Sequence, residues 1–160
     1  MAYPLYDVES LMRDIESFLK AKFNPQLLVI DAEKADGLTL APLDTAAYFW
    51  NWMGDQVANY NPFIFYGIDS EEPASIGPGT VRVFTIQVFV VLTDSQNDPE
   101  IMKRMYRYQR ALFQIFEKDW STVGRGVNFE ITGLLPLVFS LFQTQNMHRG
   151  IGIQLKAALG

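Results

Sequence analysis

The chain has 160 residues, of which 49% are hydrophobic and 19% charged, and its formal net charge is −5 at pH 7. This hydrophobic content excludes an intrinsically disordered chain, and the length is sufficient for one domain, residues 1–160, with a substantial core. Because the sequence contains no cysteine, it excludes disulfides, thiolate zinc sites, iron–sulfur clusters and a cysteine nucleophile. Residues 1–7 lack the pattern of a signal peptide and no run of 18 apolar residues occurs, so we expect a soluble, cytosolic protein without membrane contact.

The first predicted element is an amphipathic helix over residues 8–23, with Asp7 placed to cap its first amides. Its apolar residues recur at spacings of three and four, which is typical of one buried helix face. These residues are Val8, Leu11, Met12, Ile15, Phe18, Leu19 and Phe23. We expect the helix to stop at Asn24-Pro25, because the residue before a proline avoids helical backbone. The short apolar run at residues 27–30 then predicts a strand.

A cluster of large aromatic side chains follows in a region whose secondary structure the sequence leaves open. A short helix and an extended segment both fit this region. The cluster is compatible with a small satellite core and equally with an exposed adhesive patch, since tryptophan and tyrosine dominate interface hot spots. Its members are Tyr48, Phe49, Trp50 and Trp52.

Residues 62–69 and 81–92 predict two strands. The second has one continuous apolar face and one mixed face, which is typical of a central strand. Between them, two prolines and two glycines predict a loop or hairpin tip around residues 70–80, which we expect to protrude as an arm between subunits. The acidic residues Glu71 and Glu72 do not match the spacing of a calcium loop, so we interpret them as solvated charge.

A second amphipathic helix is predicted from Asp98-Pro99 to about Trp120, because aspartate caps helices and proline suits the first helical position. Its predicted core positions are Ile101, Met105, Tyr108, Leu112, Ile115 and Phe116. Four cations lie between these positions: Lys103, Arg104, Arg107 and Arg110. We expect them on the side opposite the core, either as a solvated helix face or as a subunit contact.

The last third of the chain predicts two further strands. Pro136 interrupts the apolar residues 127–142, so this segment is expected at a sheet edge or with a bulge. Residues 143–149 are polar and predict a loop that contains His148, the single histidine. Residues 150–155 predict the final strand. The order of elements predicts an α+β fold, with a mainly antiparallel sheet and two helices packed on one face.

No motif for catalysis or cofactor binding stands out. The sequence lacks the Gly-x-Ser-x-Gly turn of many hydrolases and the glycine-rich loops that hold phosphates. We therefore predict a protein that is not an enzyme and that binds no metal and no cofactor. A hydrolase with two catalytic carboxylates is an alternative from another class, because nothing in the sequence selects one pair from 18 acidic residues. An interaction module anchored by residues 48–52 is a third hypothesis.

Several segments carry a resemblance to a known family. They are the helical VESLMRDIESFL (8–19), the proline-flanked NPFIFY (61–66), the strand VFTIQVFVV (83–91), and MYRYQRAL (105–112) in the helix opened by Asp98-Pro99. Together with the apolar final strand, they resemble the tail terminator, or tail completion, proteins of long-tailed bacteriophages. The resemblance covers most of the chain and concerns the order of the elements and the types of residue along them.

This resemblance implies a structural virion protein of the phage neck. Members of the family form a ring of six subunits that caps the tail tube, ends its polymerisation and joins it to the head connector. The implied partners are further copies of the chain, the tail tube protein, the head–tail connector or stopper protein and, where present, the sheath. Genomic DNA would pass through the ring without specific binding. Another neck or tube-end component, such as a head–tail stopper or a tube initiator, is the nearest alternative.

The charge distribution is compatible with such a ring. Residues 1–80 contain 12 acidic and 4 basic residues, whereas residues 81–160 contain 6 acidic and 9 basic residues. This split fits chance placement on a solvated surface, and it also fits an acidic-to-basic contact between copies. A net acidic chain is a poor non-specific binder of DNA. The candidate subunit or partner contacts are Tyr48, Trp50, Trp52, Glu71, Glu72, Arg82, Arg104, Arg107 and Arg110.

Overall fold

A computed structural model describes residues 7–50, 60–76, 79–94, 99–119, 128–138 and 147–159. These residues form two helices, α1 (Val8–Lys34) and α2 (Ile101–Asp119). They also form five strands: β1 (Tyr48–Trp50), β2 (Phe63–Ile76), β3 (Gly79–Asp94), β4 (Asn128–Val138) and β5 (Met147–Leu159). The described strands make one sheet in the order β1-β2-β3-β5-β4, in which β1 pairs parallel to β2 and the other pairs are antiparallel. The predicted α+β fold with a mainly antiparallel sheet is confirmed.

Helix α1 is longer than the sequence predicts. The predicted cap is present, since Oδ1 of Asp7 accepts the amide of Ser10 at 2.8 Å. However, the helix continues through Pro25 to Lys34, so both the predicted stop and the predicted strand at residues 27–30 are wrong. Leu27 and Ile30 are buried at helical spacing and extend the apolar stripe, and this packing outweighs the one amide that proline removes.

Strands β2 and β3 form a long hairpin. Most of the predicted loop at residues 70–80 is paired strand, because β2 runs to Ile76 and β3 begins at Gly79. The register shifts between Ile68 and Ser70, which marks a bulge in β2. Strand β3 lies at the centre of the described sheet, with its apolar face buried and its mixed face partly buried, as predicted; on the mixed face Gln87 is half-buried and Phe89 only 5% exposed.

Both helices pack on the same face of the sheet. The rings of Phe18 in α1 and Phe116 in α2 have centroids 4.9 Å apart, and Phe116 also contacts Phe129 of β4. On the same sheet face, burial raises the pKa of Tyr66 in β2, and the nearby carboxylate of Glu16 in α1 raises it further. The main core therefore lies between the helix pair and one side of the sheet.

Helix α2 agrees with the second predicted helix. All six of its predicted core positions are buried. Its first turn is preceded by Pro99 and Glu100, and the carbonyl of Glu100 accepts the amide of Arg104 at 3.0 Å. The predicted cap Asp98 and the predicted helix end Trp120 lie outside the described residues.

The last two strands confirm one prediction and correct another. Strand β4 lies at an edge of the described sheet and its register shifts between Ile131 and Gly133, as the proline at position 136 predicts. Strand β5 begins at Met147, so the last residues of the predicted polar loop are strand instead. His148 therefore lies in a strand, opposite Thr93 of β3.

Gly152 in β5 is a position where the sheet has no room for a side chain. A Cβ atom built there would lie 2.1 Å from the carbonyl oxygen of Val88 and 3.0 Å from the Cα of Phe89. Because these are backbone atoms of the central strand, they have little freedom to move away. Gly133 in β4 is the matched control, since its Cβ would meet only side-chain atoms of Gln154 at 3.8 and 3.9 Å.

We expect Gly152→Ala to lower the free energy of unfolding by about 3 kcal/mol, the upper range for an overpacked core. Gly133→Ala should change it by less than about 1 kcal/mol, because the added methyl makes ordinary contacts. Urea denaturation followed by circular dichroism measures both values. Equal stability of the two variants would contradict the close packing of β5 against β3.

Candidate functional site

Arg107 has a position that corrects the sequence-based interpretation. The sequence placed it with three other cations on an exposed helix face, but its side chain is only 7% exposed. Its guanidinium donates to both carboxylate oxygens of Asp36 and to the carbonyl of Leu38 at 3.2 Å. The side of α2 that carries Arg107 is therefore covered by the chain that follows α1.

The charge of Arg107 also fixes the ionisation of its partner. The hydrogen bond from Arg107 lowers the pKa of Asp36 to about 2, although partial burial acts in the opposite direction. The pKa of Arg107 is raised in turn by Asp36. Since the pKa of Asp36 is depressed in the folded chain, the pair contributes stability above the ordinary aspartate pKa. This contribution is lost only as the pH falls towards about 2.

Two neighbouring cations of α2 bond within the chain as well. Nη1 of Arg104 donates to the carbonyl of Thr39 at 2.9 Å. Nη2 of Arg110 donates to both carboxylate oxygens of Glu33, at 2.9 and 2.8 Å. Acidic residues from the first half of the chain thus pair with basic residues from the second half inside one molecule, so part of the charge split needs no second copy.

Residues 35–47, which we name the strap, connect α1 to β1 and lie outside every helix and strand. Besides its bonds to Arg104 and Arg107, the strap accepts a hydrogen bond from the hydroxyl of Tyr108 at the carbonyl of Ala41, 2.8 Å away. The side-chain amide of Asn24 exchanges two 2.9 Å hydrogen bonds with the backbone of Leu43. Side chains of both helices therefore bond the backbone of the strap, in addition to the ion pair at Asp36 and the burial of Leu40 and Leu43.

The aromatic cluster divides between core and surface. Tyr48 is only 7% exposed and belongs to the hydrophobic core, so it does not offer a contact surface. Phe49 projects from the opposite sheet face, where its ring packs against Tyr60 and Phe63. Trp50 is 39% exposed and lies in the edge strand β1. Trp52, the remaining candidate of this cluster, lies outside the described residues.

The charged candidates of the hairpin lie on its surface. Nε of Arg82 donates to the carboxylate of Glu71 at 2.6 Å, and its guanidinium lies 5.1 Å from the ring centre of Phe84. Glu72 is exposed. Among the described residues, no group of three acidic or histidine side chains is arranged to hold a metal ion. The hydrogen bond between Arg82 and Glu71 makes them a cross-strand ion pair of the β2–β3 hairpin.

Exposed apolar side chains form two further patches that the sequence analysis did not identify. The first is on α1, where Leu28 is 71% and Val29 53% exposed. We name it the α1 patch. If the helical periodicity is continued past Pro25, both residues fall outside the buried stripe of α1. The sequence analysis did not predict this exposure, because it interpreted residues 27–30 as a strand.

The second patch is a cleft of about 230 Å³ between α2 and β4, which we name the α2–β4 cleft. Its lining consists of Gln109, Arg110, Phe113 and Leu134. Leu134 is 54% exposed at the sheet edge, and Tyr106, one helical turn before Arg110, is 56% exposed. The described lining exposes mainly apolar surface, since the side-chain amide of Gln109 donates to the carbonyl of Gly152 and the guanidinium of Arg110 bonds Glu33.

His148 is buried rather than placed in a surface loop. It is 3% exposed, and its Nδ1 lies 3.1 Å from the hydroxyl of Thr93. Burial lowers the pKa of His148. Thr93 is held in place by its amide, which donates to Oδ1 of Asn61 at 3.0 Å. His148 is thus a core residue that is neutral near pH 7.

No family model and no curated protein sequence matches this chain. Within the described residues, neither helix combines the length and the apolar character needed to span a membrane. The candidate contact surface of the described residues consists of the exposed Trp50 at the β1 edge, the α1 patch and the α2–β4 cleft.

Tyr48 provides a test of its assignment to the core. Its buried hydroxyl has no hydrogen-bond partner among the described residues, and burial raises the pKa of Tyr48 to about 12. We expect Tyr48→Phe to raise the free energy of unfolding by about 1 kcal/mol, because it removes an unsatisfied buried polar group. Urea denaturation measures the change. A clear loss of stability would show that the hydroxyl has a partner and that the assignment is wrong.

The burial of His148 predicts a dependence of stability on pH. Because the pKa of His148 is lowered in the folded chain, the unfolded chain binds more protons, and the free energy of unfolding should fall as the pH decreases below about 6.5. Urea denaturation at about pH 7.5 and about pH 5.5 measures this decrease. His148→Gln should remove most of it, whereas an unchanged decrease in that variant would assign the effect to other groups.

Proposed function

We propose that this protein is a structural component of a phage neck, which forms a ring that caps the tail tube, ends its polymerisation and joins it to the head connector. The observation that carries the proposal is the presence of two unlike exposed apolar patches on different elements, the α1 patch and the α2–β4 cleft. Apolar patches of this kind favour contact with another protein.

The shapes of the two patches favour a head-to-tail contact. Leu28 and Val29 project from a helix, whereas Phe113 and Leu134 line a cleft. A projecting patch can enter a cleft on the next copy. Contacts between two different surfaces generate a closed ring when the rotation between copies closes. The number of six subunits in this proposal comes from the family resemblance alone.

Charge supports a smaller part of such a contact than the sequence suggests. Arg107 is buried, and Arg104 and Arg110 bond to backbone or carboxylate groups of their own chain. We therefore place the attraction between copies in the apolar patches and Trp50. The tail tube protein, the connector or stopper protein, the sheath and the passing DNA remain partners within the proposal.

The α1 patch offers a direct test. We expect the wild-type chain to form rings, on its own or on tail tubes, and the double change Leu28→Ser, Val29→Ser to weaken association by at least about tenfold. Both side chains are exposed, so the variant should keep its fold. Ala32→Ser, at another exposed position of α1, is the matched control and should associate as the wild type does.

Light scattering and co-sedimentation with the tail tube protein of the same genome measure association. A wild-type chain that stays monomeric at high concentration and does not bind tail tubes would overturn the proposal. Binding to the portal-side connector alone would instead favour a head–tail stopper. Turnover of a small molecule that one carboxylate substitution abolishes would favour the hydrolase.

A further inference from the structure

Several polar contacts hold the strap, and the first part of it is bonded by one buried cation, Arg107. Arg107 bonds two strap residues, through the carboxylate of Asp36 and the carbonyl of Leu38. Lys103 adds a weaker contact to the same carboxylate at 4.0 Å. Since residues 35–47 have no helix or strand of their own, these bonds replace regular backbone pairing.

The strap leads directly into β1. Its last residue, Ala47, accepts the amide of Ile64 in β2 at 2.9 Å, and its own amide donates to the carbonyl of Asp44 at 2.9 Å. The described part of β1 has three residues, each paired with β2. A short strand contributes little pairing, so we expect the preceding segment to help fix its position, together with the buried side chain of Tyr48.

We infer that Arg107 and Asp36 act as positioning residues for the β1 edge: their ion pair keeps the strap closed and thereby holds Trp50 in place. The inference rests on the proposed function only for its consequence in assembly. Arg104 supports the same strap through Thr39. Two cations that the sequence offered as subunit contacts would thus affect a neighbouring copy indirectly, through the edge that carries Trp50.

The pair also makes the strap sensitive to ionic strength. Asp36 is 36% exposed, so dissolved ions reach the carboxylate. The guanidinium of Arg107 is buried, so its desolvation is offset mainly by the charge of Asp36. This offset is lost when the carboxylate is neutral or screened by salt. Leu40 and Leu43 are buried beside the bonded backbone groups, so opening of the strap would expose apolar surface.

Hydrogen exchange of the full-length protein tests the inference. The reporter amide is that of Leu40, which donates to the carboxylate of Asp31 at 3.1 Å, and the reference is the buried Leu112 in α2. We expect Asp36→Asn to accelerate exchange at Leu40 by at least about tenfold and to change exchange at Leu112 by less than about twofold. Glu9→Gln, which breaks the exposed pair with Arg13, is the matched control and should change neither amide.

Two results would overturn the inference. One is unchanged exchange at Leu40 in Asp36→Asn, and the other is acceleration by the same factor at Leu40 and Leu112, which indicates general destabilisation. If Asp36→Asn does not fold, hydrogen exchange of the wild type is measured while the salt concentration is raised from about 0.05 M to about 1 M. We then expect faster exchange at Leu40 and unchanged exchange at Leu112. If salt does not selectively accelerate exchange at Leu40, this result also overturns the inference.

The assembly assay adds the link to the neighbouring copy. Asp36→Asn should weaken ring formation by about tenfold although Asp36 belongs to neither apolar patch. Normal assembly with an open strap would overturn the positioning role. If the wild type forms no ring at all, the proposed function fails, while the exchange data still decide whether the ion pair closes the strap.

Discussion

The burial of one guanidinium determines much of this structure. A charged group that is 7% exposed needs a fixed counter-charge, and Arg107 obtains it from Asp36, 71 residues earlier in the sequence. The pair holds the segment after α1 against α2, where Leu40 and Leu43 are buried as well. The same segment leads directly into the edge strand β1.

The sequence predicted the fold well where periodicity was strong and unbroken. The stripe of α2 and the apolar face of β3 are buried as expected, because packing between helices and sheet agrees with the local pattern. The prediction was wrong at Pro25 and at residues 27–30. There, the local rule for proline competes with burial of Leu27 and Ile30, and only the folded chain shows which effect is larger.

The candidate site was less accessible to sequence reasoning. Arginines between core positions normally read as a solvated face, and nothing local reveals that the chain after α1 covers Arg107. The aromatic cluster gave two open interpretations, and the structure divides its described members: Tyr48 lies in the core and Trp50 is exposed. The α1 patch and the α2–β4 cleft depend on which residues remain uncovered after the elements pack, and this is a property of the assembled layers.

The bulge in β4 has a consequence for how copies of this chain can meet. The register shift beside Thr132 and the missing amide of Pro136 interrupt the row of backbone groups along this outer strand. Such an interrupted rim resists open-ended stacking of sheets into fibres. A neighbouring chain that met this strand would have to bind its side chains rather than a continuous row of backbone groups.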